Sequence, residues 1–382
     1  MRPIRVLHLT KSAGLYGAEK VILNLLEHLN PDKFDIYLAA FVEDRRPHRE
    51  LLKESEKRGG KTIAIRCRKR LDVQALKELL SILKKNDIDI LHCHEMKSRA
   101  YGLIAAKVIE LPIVATNHNW IRENRTVATY ELLDAFSLRF FDRIIAVSEE
   151  VKQLMLKFKI PQRLISVVRN GINLKESCEK RDDNTSLRHA LGIAENVRVV
   201  GMVGRLSIEK GIKYFLEAAQ KTLVKMPNIC FLIVGDGPME KELKQHTKMM
   251  GIEGRVVFTG FYKDIAALYS LLDVYVLTSL REGTPMALLE AMAARVPVVA
   301  TGVGGVAQVV RHNENGILVK SHDPEEISES VLHLLRNPLE SARLAANAKK
   351  ALREEYSAER MAGQYENIYI DIVNEAVKNR ND

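Results

Sequence analysis

Two glutamates, Glu282 and Glu290, stand eight residues apart in the stretch REGTPMALLEAMAARVPVVAT, residues 281–301. The first falls in a loop, and the second is the one acid in the otherwise apolar or small segment MALLEAMAA. Thr284 followed by Pro285 is a helix-start signal, because threonine caps well and proline is tolerated at the first helical position; the helix is expected from Pro285 to about Arg295. A capping box does not account for Glu290, since the box places its acid at the third helical position, which is Ala287. As ordinary surface acids, Glu282 would complement the helix dipole and Glu290 would be solvated. The apolar setting points elsewhere. A carboxylate accepts two hydrogen bonds from a vicinal diol, and the amides of Met286 and Ala287 at a helix start suit phosphate oxygens.

Arg205 and Lys210, in GRLSIEKG, follow the apolar run VVGMV. Two cations at the carboxyl end of a strand fit a diphosphate, arginine by its planar fork and lysine as a point charge. Chosen blindly, such residues are surface cations. Gly14 and Gly17 lie in KSAGLYGAEK, between a first strand and a first helix, where glycine lets backbone approach a ligand. His118 follows PIVAT, again at a strand's carboxyl end; a lone histidine is otherwise a structural one.

These positions require strands whose carboxyl ends converge. Apolar runs of four to seven residues alternate with helix-period segments almost from end to end, the signature of parallel sheets covered on both faces. Strands are expected near 4–9, 35–41, 61–65, 88–92, 112–116, 143–147 and 164–168, and again at VRVVGMVG, NICFLIVG, RVVFTG, DVYVLT, VPVVAT and GILVK. The polar stretch KESCEKRDDNTS between the two series reads as an interdomain connection. At 382 residues two domains are the natural division, and the final forty-odd residues are helical with no strand to follow. Cys67, Cys93, Cys178 and Cys230 show no paired spacing and read as reduced thiols. No uncharged apolar run is long enough to span a bilayer, and MRPIRVLHLT reads as a strand rather than a signal peptide, so a cytoplasmic protein is expected. Residues 1–172 hold 31 Lys and Arg against 21 Asp and Glu, whereas residues 173–382 hold 27 against 28. The basic excess belongs to the first half.

The passage EGTPMALLE, with AMAARVPVVATGVGG and ENGILV after it, resembles the E-x7-E region of the family-4 type of retaining glycosyltransferases. GLYGAEKV, DILHCHEMKSRAYGLIAAK, ATNHNW, VSEEVK, VVRNGI, GRLSIEKGIKYFLEA, FLIVGDGP and VVFTGF extend the resemblance over nearly the whole chain. It implies the GT-B fold, an α/β architecture of two doubly wound Rossmann-like domains facing a central cleft. Residues 1–172 would bind the acceptor and residues 173–358 the nucleotide sugar, with a C-terminal helix, 359–382, packing across the domain junction. It further implies that Glu282 contacts the donor sugar and Glu290 the ribose. Backbone between them, at Gly283, Thr284 and Met286, would hold the diphosphate. Arg205 and Lys210 would neutralise the leaving nucleoside diphosphate in place of a divalent ion, the loop of Gly17 would face the diphosphate, and His118 would position the donor sugar. Thr284 departs from the phenylalanine frequent in that family.

The reaction so implied moves a sugar from a nucleotide diphosphate donor to a hydroxyl with retention, by front-face attack, in the synthesis of a cell-surface glycan or glycolipid. No cofactor and no metal are expected. GVGGVA, residues 302–307, imitates a dinucleotide fingerprint, but the helix behind it is too short for a crossover. DID, residues 87–89, imitates a metal-binding pair at the wrong end of its strand, and His92 and His94 share a strand face without a further Cys or His completing a site. The basic stretch RRPHRELLKESEKRGGKTIAIRCRKR suits peripheral contact with an anionic membrane or a lipid-linked acceptor, or is simply a solvated face. A nucleotide-sugar epimerase is the alternative enzyme. A nucleic-acid-binding protein is a more distant one, lacking a recognition module.

Overall fold

A computed structural model describes residues 2–11, 14, 15, 17–43, 49–69, 71–118, 125–174 and 184–381. Cys178, Trp120, residues 44–48 of the basic stretch and most of the polar connection lie outside them. The chain forms two compact units, Met1–Gly171 with Ala358–Asp382, and Ile172–Ser357.

The first unit alternates strictly: β1 (Ile4–Thr10), α1 (Gly17–His28), β2 (Phe34–Val42), α2 (Glu50–Lys57), β3 (Lys61–Arg66), α3 (Val73–Lys85), β4 (Ile90–Cys93), α4 (Met96–Ile109), β5 (Ile113–Asn117), α5 (Arg125–Leu138), β6 (Arg143–Ala146), α6 (Glu149–Lys157) and β7 (Ile165–Val167). Among the described residues its seven strands are parallel, in the order β3-β2-β1-β4-β5-β6-β7. Strands covered on both faces read as continuous apolar runs, and ILHC and IVATN are buried at every position. Helix starts are set locally. Asp72 accepts from the amides of Gln74 and Ala75 to cap α3, and Ser148 accepts from Val151 to cap α6.

The second unit contains α7 (Thr185–Ala190), β8 (Arg198–Val203), α8 (Ile212–Lys225), β9 (Ile229–Val234), α9 (Glu240–Met249), β10 (Val256–Gly260), α10 (Ile265–Leu271), β11 (Val274–Leu277), α11 (Met286–Ala293), β12 (Val298–Thr301), α12 (Val306–Val309), β13 (Ile317–Val319), α13 (Pro324–Arg336) and α14 (Pro338–Glu355). Its six described strands run parallel in the order β10-β9-β8-β11-β12-β13. Each strand anticipated from the apolar runs is present, with ends displaced by one or two residues. α12 is a single turn, as the short segment behind GVGGVA requires.

Helix α11 differs from its expected start. Pro285, not Thr284, is the N-cap, with extended backbone at ψ 112°, and its carbonyl accepts from Leu288 and Leu289. The helix stops at Ala293, because Arg295 turns into the left-handed region at φ 57°.

The closing helix, α15 (Ala358–Asn381), which the sequence reading set apart as residues 359–382, folds with the first unit. Ala358, Met361, Ala362, Tyr365, Tyr369 and Ile372 recur at three- and four-residue spacing and are all buried, one apolar face of a helix. Its polar side ties in as well, Glu366 accepting from the Asn30 amide at 2.8 Å and Glu375 from Arg143 at 2.7 Å.

Candidate active site

In the second unit the chain proceeds from β8 to β9 and β10 on one side and returns to β11, β12 and β13 on the other. The order reverses between β8 and β11, and the loops at the carboxyl ends of strands at such a switch point form a ligand crevice. Lys210, from the segment after β8, and Glu282, from the segment after β11, meet there. Lys210 Nζ lies 2.5 Å from Glu282 Oε1, and Ser279 Oγ donates to the same oxygen at 2.6 Å. Both bonds fall on Oε1, so Oε2 has no partner among the described residues. The carboxylate is thus oriented through one oxygen and available through the other.

The backbone beneath it is braced from three sides. Leu280 donates to the Glu209 carbonyl at 2.7 Å, Thr278 Oγ1 to the Lys210 carbonyl at 3.0 Å, and Thr301 Oγ1 to the Ser279 carbonyl at 2.6 Å. Gly304, at φ +50°, approaches so closely that a Cβ there would stand 2.0 Å from the Glu282 carbonyl oxygen, to which Gly305 donates. The glycines that resemble a dinucleotide motif therefore seat the Glu282 loop. Gly235, at φ +129°, does the same for the segment after β8, where a Cβ would meet the Gly204 carbonyl at 2.0 Å.

Glu290, one turn into α11, has the partner its apolar surroundings demand. The buried Tyr269 hydroxyl lies 3.1 Å from Oε2 and 2.9 Å from the Ala287 carbonyl. Burial, with the Glu290 charge beside it, raises the Tyr269 pKa well above the ordinary phenol value. Tyr275, fully buried on β11, is raised in the same way, with Glu282 and Glu290 as the nearby charges. Gly283, Thr284 and Met286 are buried between the two glutamates. Met286 and Ala287 are the first two residues of α11, whose amides have no intrahelical acceptor. Arg205 also follows β8, but its side chain is exposed, and among the described residues it pairs with no acid.

In the first unit the order reverses between β1 and β4. Gly17 is the first residue of α1, and Glu95 precedes α4. Burial, followed by the charge of Glu19, pushes the Glu95 carboxyl up to about 7. His118 follows β5 with its ring stacked on His94 at 5.8 Å, and among the described residues neither His118 Nε2 nor His94 Nδ1 has a hydrogen-bond partner. Burial, with a smaller contribution from the Arg99 charge, lowers His118 to about 4, so the imidazole is neutral. Arg99 itself is buried. Its Nε and Nη2 lie 2.8 and 2.5 Å from the two Asp134 oxygens, and Nη1 donates to the Thr116 carbonyl at 3.2 Å, bracing the strand end that carries His118.

Behind His94 runs a buried chain of contacts. His94 Nε2 lies 2.9 Å from His8 Nδ1, His8 Nε2 is 3.3 Å from the Tyr369 hydroxyl, and that hydroxyl is 2.6 Å from His92 Nδ1. His92 Nε2 continues to Thr116 Oγ1 at 2.8 Å, which meets Tyr365 at 3.1 Å. His8 corrects the reading that no further residue joins His92 and His94; β1 pairs with β4 and places His8 directly beside His92. One nitrogen from each ring lies within 4.8 Å of the others, a spacing a metal could bridge. The rings are committed differently. The His8–His94 separation is that of a hydrogen bond, and both nitrogens of His92 are engaged by Tyr369 and Thr116, so a cation would have to displace the network. Asp87 and Asp89, the other metal lookalike, lie at the amino end of β4 and pair with Arg5 and Arg2 at 3.0 and 2.7 Å.

Ser279, Gly304, Tyr269, Tyr275 and Arg99 escaped the reading of the sequence. Ser279 had a local signal, the Ser-x-x-Glu spacing to Glu282, but the others act from distant segments.

Two family models match the chain, Glycosyltransferase Family 4 over residues 16–176 and Glycosyl transferases group 1 over residues 183–351. Among curated relatives, the UDP-Gal:alpha-D-GlcNAc-diphosphoundecaprenol alpha-1,3-galactosyltransferase of Escherichia coli is 27% identical, with 97% of each chain covered. The N-acetyl-alpha-D-glucosaminyl L-malate synthase of Bacillus anthracis is 27% identical over 79% of this chain and 80% of that protein. Among solved structures, HepE of Anabaena in complex with UDP-glucose superposes with a TM-score of 0.83 at 22% identity, covering 98% of this chain and all of that one. Sucrose-phosphate synthase from Thermosynechococcus elongatus gives 0.79 at 19% identity, covering 97% and 100%. The epimerase reading finds no support in these likenesses.

Proposed function

Because the chain belongs to family 4 of the glycosyltransferases and has the two Rossmann-like domains of the GT-B fold, we propose that it transfers a hexose from a nucleoside diphosphate sugar to a hydroxyl acceptor with retention of configuration. The observation that carries the reading is the Lys210–Glu282–Ser279 contact at the switch point of the second unit, beside the start of α11. A lysine ammonium has three donors. One is spent on Glu282, and the others can serve a diphosphate, whose remaining charge falls to the amides of α11 and to Arg205. Glu282 Oε2 then accepts from the sugar, and Glu290, anchored by Tyr269, accepts from the ribose.

No carboxylate in this arrangement is assigned to covalent attack. The departing phosphate oxygen takes the proton of the incoming hydroxyl on the same face of the sugar, and Glu282 stabilises the charge that develops. His118, neutral and with no hydrogen-bond partner at Nε2 among the described residues, is suited to a sugar hydroxyl, and the helix start at Gly17 to an anion. The role of the first unit is acceptor binding. Uridine diphosphate is favoured as the nucleotide and a diphospholipid-linked sugar as the acceptor by the name of the Escherichia coli relative, which matches from end to end. The product would be part of a cell-surface glycan or glycolipid, made at the inner face of the cytoplasmic membrane. Two cations and a helix start leave no requirement for a divalent ion.

A thermal-shift panel of UDP, GDP and ADP with their sugar conjugates tests the site. One diphosphate nucleotide should stabilise the protein, and Glu290→Ala should remove most of that shift. Undiminished stabilisation in the variant overturns the assignment. The anomeric proton coupling of the product, read by NMR, tests retention.

A further inference from the structure

Helix α5 faces the wrong way for a soluble surface. At 100° per residue, Leu132, Leu133 and Phe136 fall within one arc of about 100°. With Phe140 in the following turn they are 48–62% exposed. The opposite side carries Asp134, Ala135 and Leu138, all buried, and there Asp134 meets Arg99. The acid points inward and the large apolar side chains point to water. The rings of Phe136 and Phe140 pack edge to face at 5.4 Å, so the strip is a built surface.

Cations border the strip. The Arg139 guanidinium sits 5.6 Å over the Phe136 ring while Nη2 donates to the Phe158 carbonyl at 2.9 Å, which brings the exposed Lys157 and Lys159 alongside. Among the described residues, the exposed acids close by in sequence are Glu110 and Asp142, and Asp142 accepts from the Ile113 amide. The unit as a whole carries 34 Lys and Arg against 26 Asp and Glu, whereas the other carries 24 against 23. By contrast, Lys57, Arg58 and Lys61, from the basic stretch noted in the sequence, are held in ion pairs with Glu54, Glu27 and Asp35.

We propose that the outer face of α5, with Arg139, Lys157 and Lys159, docks on the surface of an anionic phospholipid bilayer. Phenylalanine and leucine would enter the headgroup boundary while the cations meet lipid phosphates. A second copy of this chain is the poorer occupant, since pairing the strip with itself sets its own cations against each other. The inference extends the lipid-linked-acceptor reading by naming a surface, and its test does not depend on sugar transfer.

Flotation with vesicles of phosphatidylcholine, with and without phosphatidylglycerol, decides it. The full chain should float with the anionic vesicles and lose that binding as salt rises. L133E/F136E, changed only at exposed positions, should bind at least about tenfold more weakly, with an unaltered melting temperature and an unaltered response to UDP. K157E/K159E should also bind more weakly. No flotation of the parent protein, or equal flotation of L133E/F136E, overturns the proposal. So does a dimer in light scattering that L133E/F136E converts to monomer without any change in vesicle binding. If no nucleotide stabilises the parent protein while flotation behaves as described, the donor reading fails and the docking surface stands.

Discussion

Glu282 is held by one carboxylate oxygen, and that asymmetry sets what its replacements should do. Glu282→Gln keeps the shape but removes the charge opposite Lys210. If the carboxylate stabilises charge that develops during transfer, kcat/KM should fall by about 10²–10³, chiefly in kcat. Ser279→Ala removes one neutral donor to the same oxygen. A hydrogen bond to a charged group is worth about 1.5–3 kcal/mol, so the loss should be about ten- to a hundredfold. Gly304→Ala drives a methyl group into the Glu282 carbonyl and should depress turnover far more than melting temperature. Steady-state kinetics beside thermal melts separates the three. Transfer assayed in excess EDTA should proceed at the rate seen without it, and full loss of activity restored by magnesium or manganese would contradict the reliance on Lys210 and Arg205. Glu282, Glu290 and Lys210 could be chosen from their setting beside strand ends together with the family resemblance, not from type and spacing alone. Gly304 could not, because the reason for it lies in a carbonyl 22 positions earlier.

Elements account for the remaining partnerships. Helix α11 presents Glu290 on the side that meets Tyr269 from α10, so Tyr269→Phe should loosen the glutamate and weaken nucleotide binding about five- to tenfold by calorimetry, with smaller change in kcat. The fold of each sheet was legible because a parallel strand buried on both faces must be apolar throughout, and the helix between strands must show a 3.6-residue period. The start of α11 was legible only to within one residue. Pro285 takes the cap position expected of Thr284, and two neighbouring residues with start signals do not say which one leaves the helix. Helix α15 illustrates the opposite case, a segment whose helicity is plain and whose destination is not. Tyr369 reaches His92 and His8 across sequence separations of 277 and 361 residues. Tyr369→Phe should cost the first unit about 1–2 kcal/mol in urea melts, because it leaves a buried imidazole nitrogen unpaired.

At the scale of the molecule, four buried histidines in one unit make its stability depend on pH. His8 is lowered to about 3 and His118 to about 4, and His92 and His94 well below the ordinary value, in each case chiefly by burial. The unfolded chain binds protons near pH 6.5 that the folded unit refuses, so stability is full above that pH and is lost as pH falls from about 6.5 toward 4. Each such histidine contributes about 1.4 kcal/mol per pH unit in that window, and urea midpoints should drop steeply between pH 7 and 5. Far-ultraviolet circular dichroism should follow the transition. A flat midpoint over that range would mean that these rings are hydrated. The sequence by itself determined the two alternating series, the strand ends at which ligand groups must gather, and the residue types suited to a diphosphate and a sugar, because periodicity and chain direction are local properties. Which residues touch was decided only by the tertiary structure. Lys210 meets Glu282, His8 joins His92, and α15 closes the first unit because sheet order and crossover packing bring together segments that share no local signal.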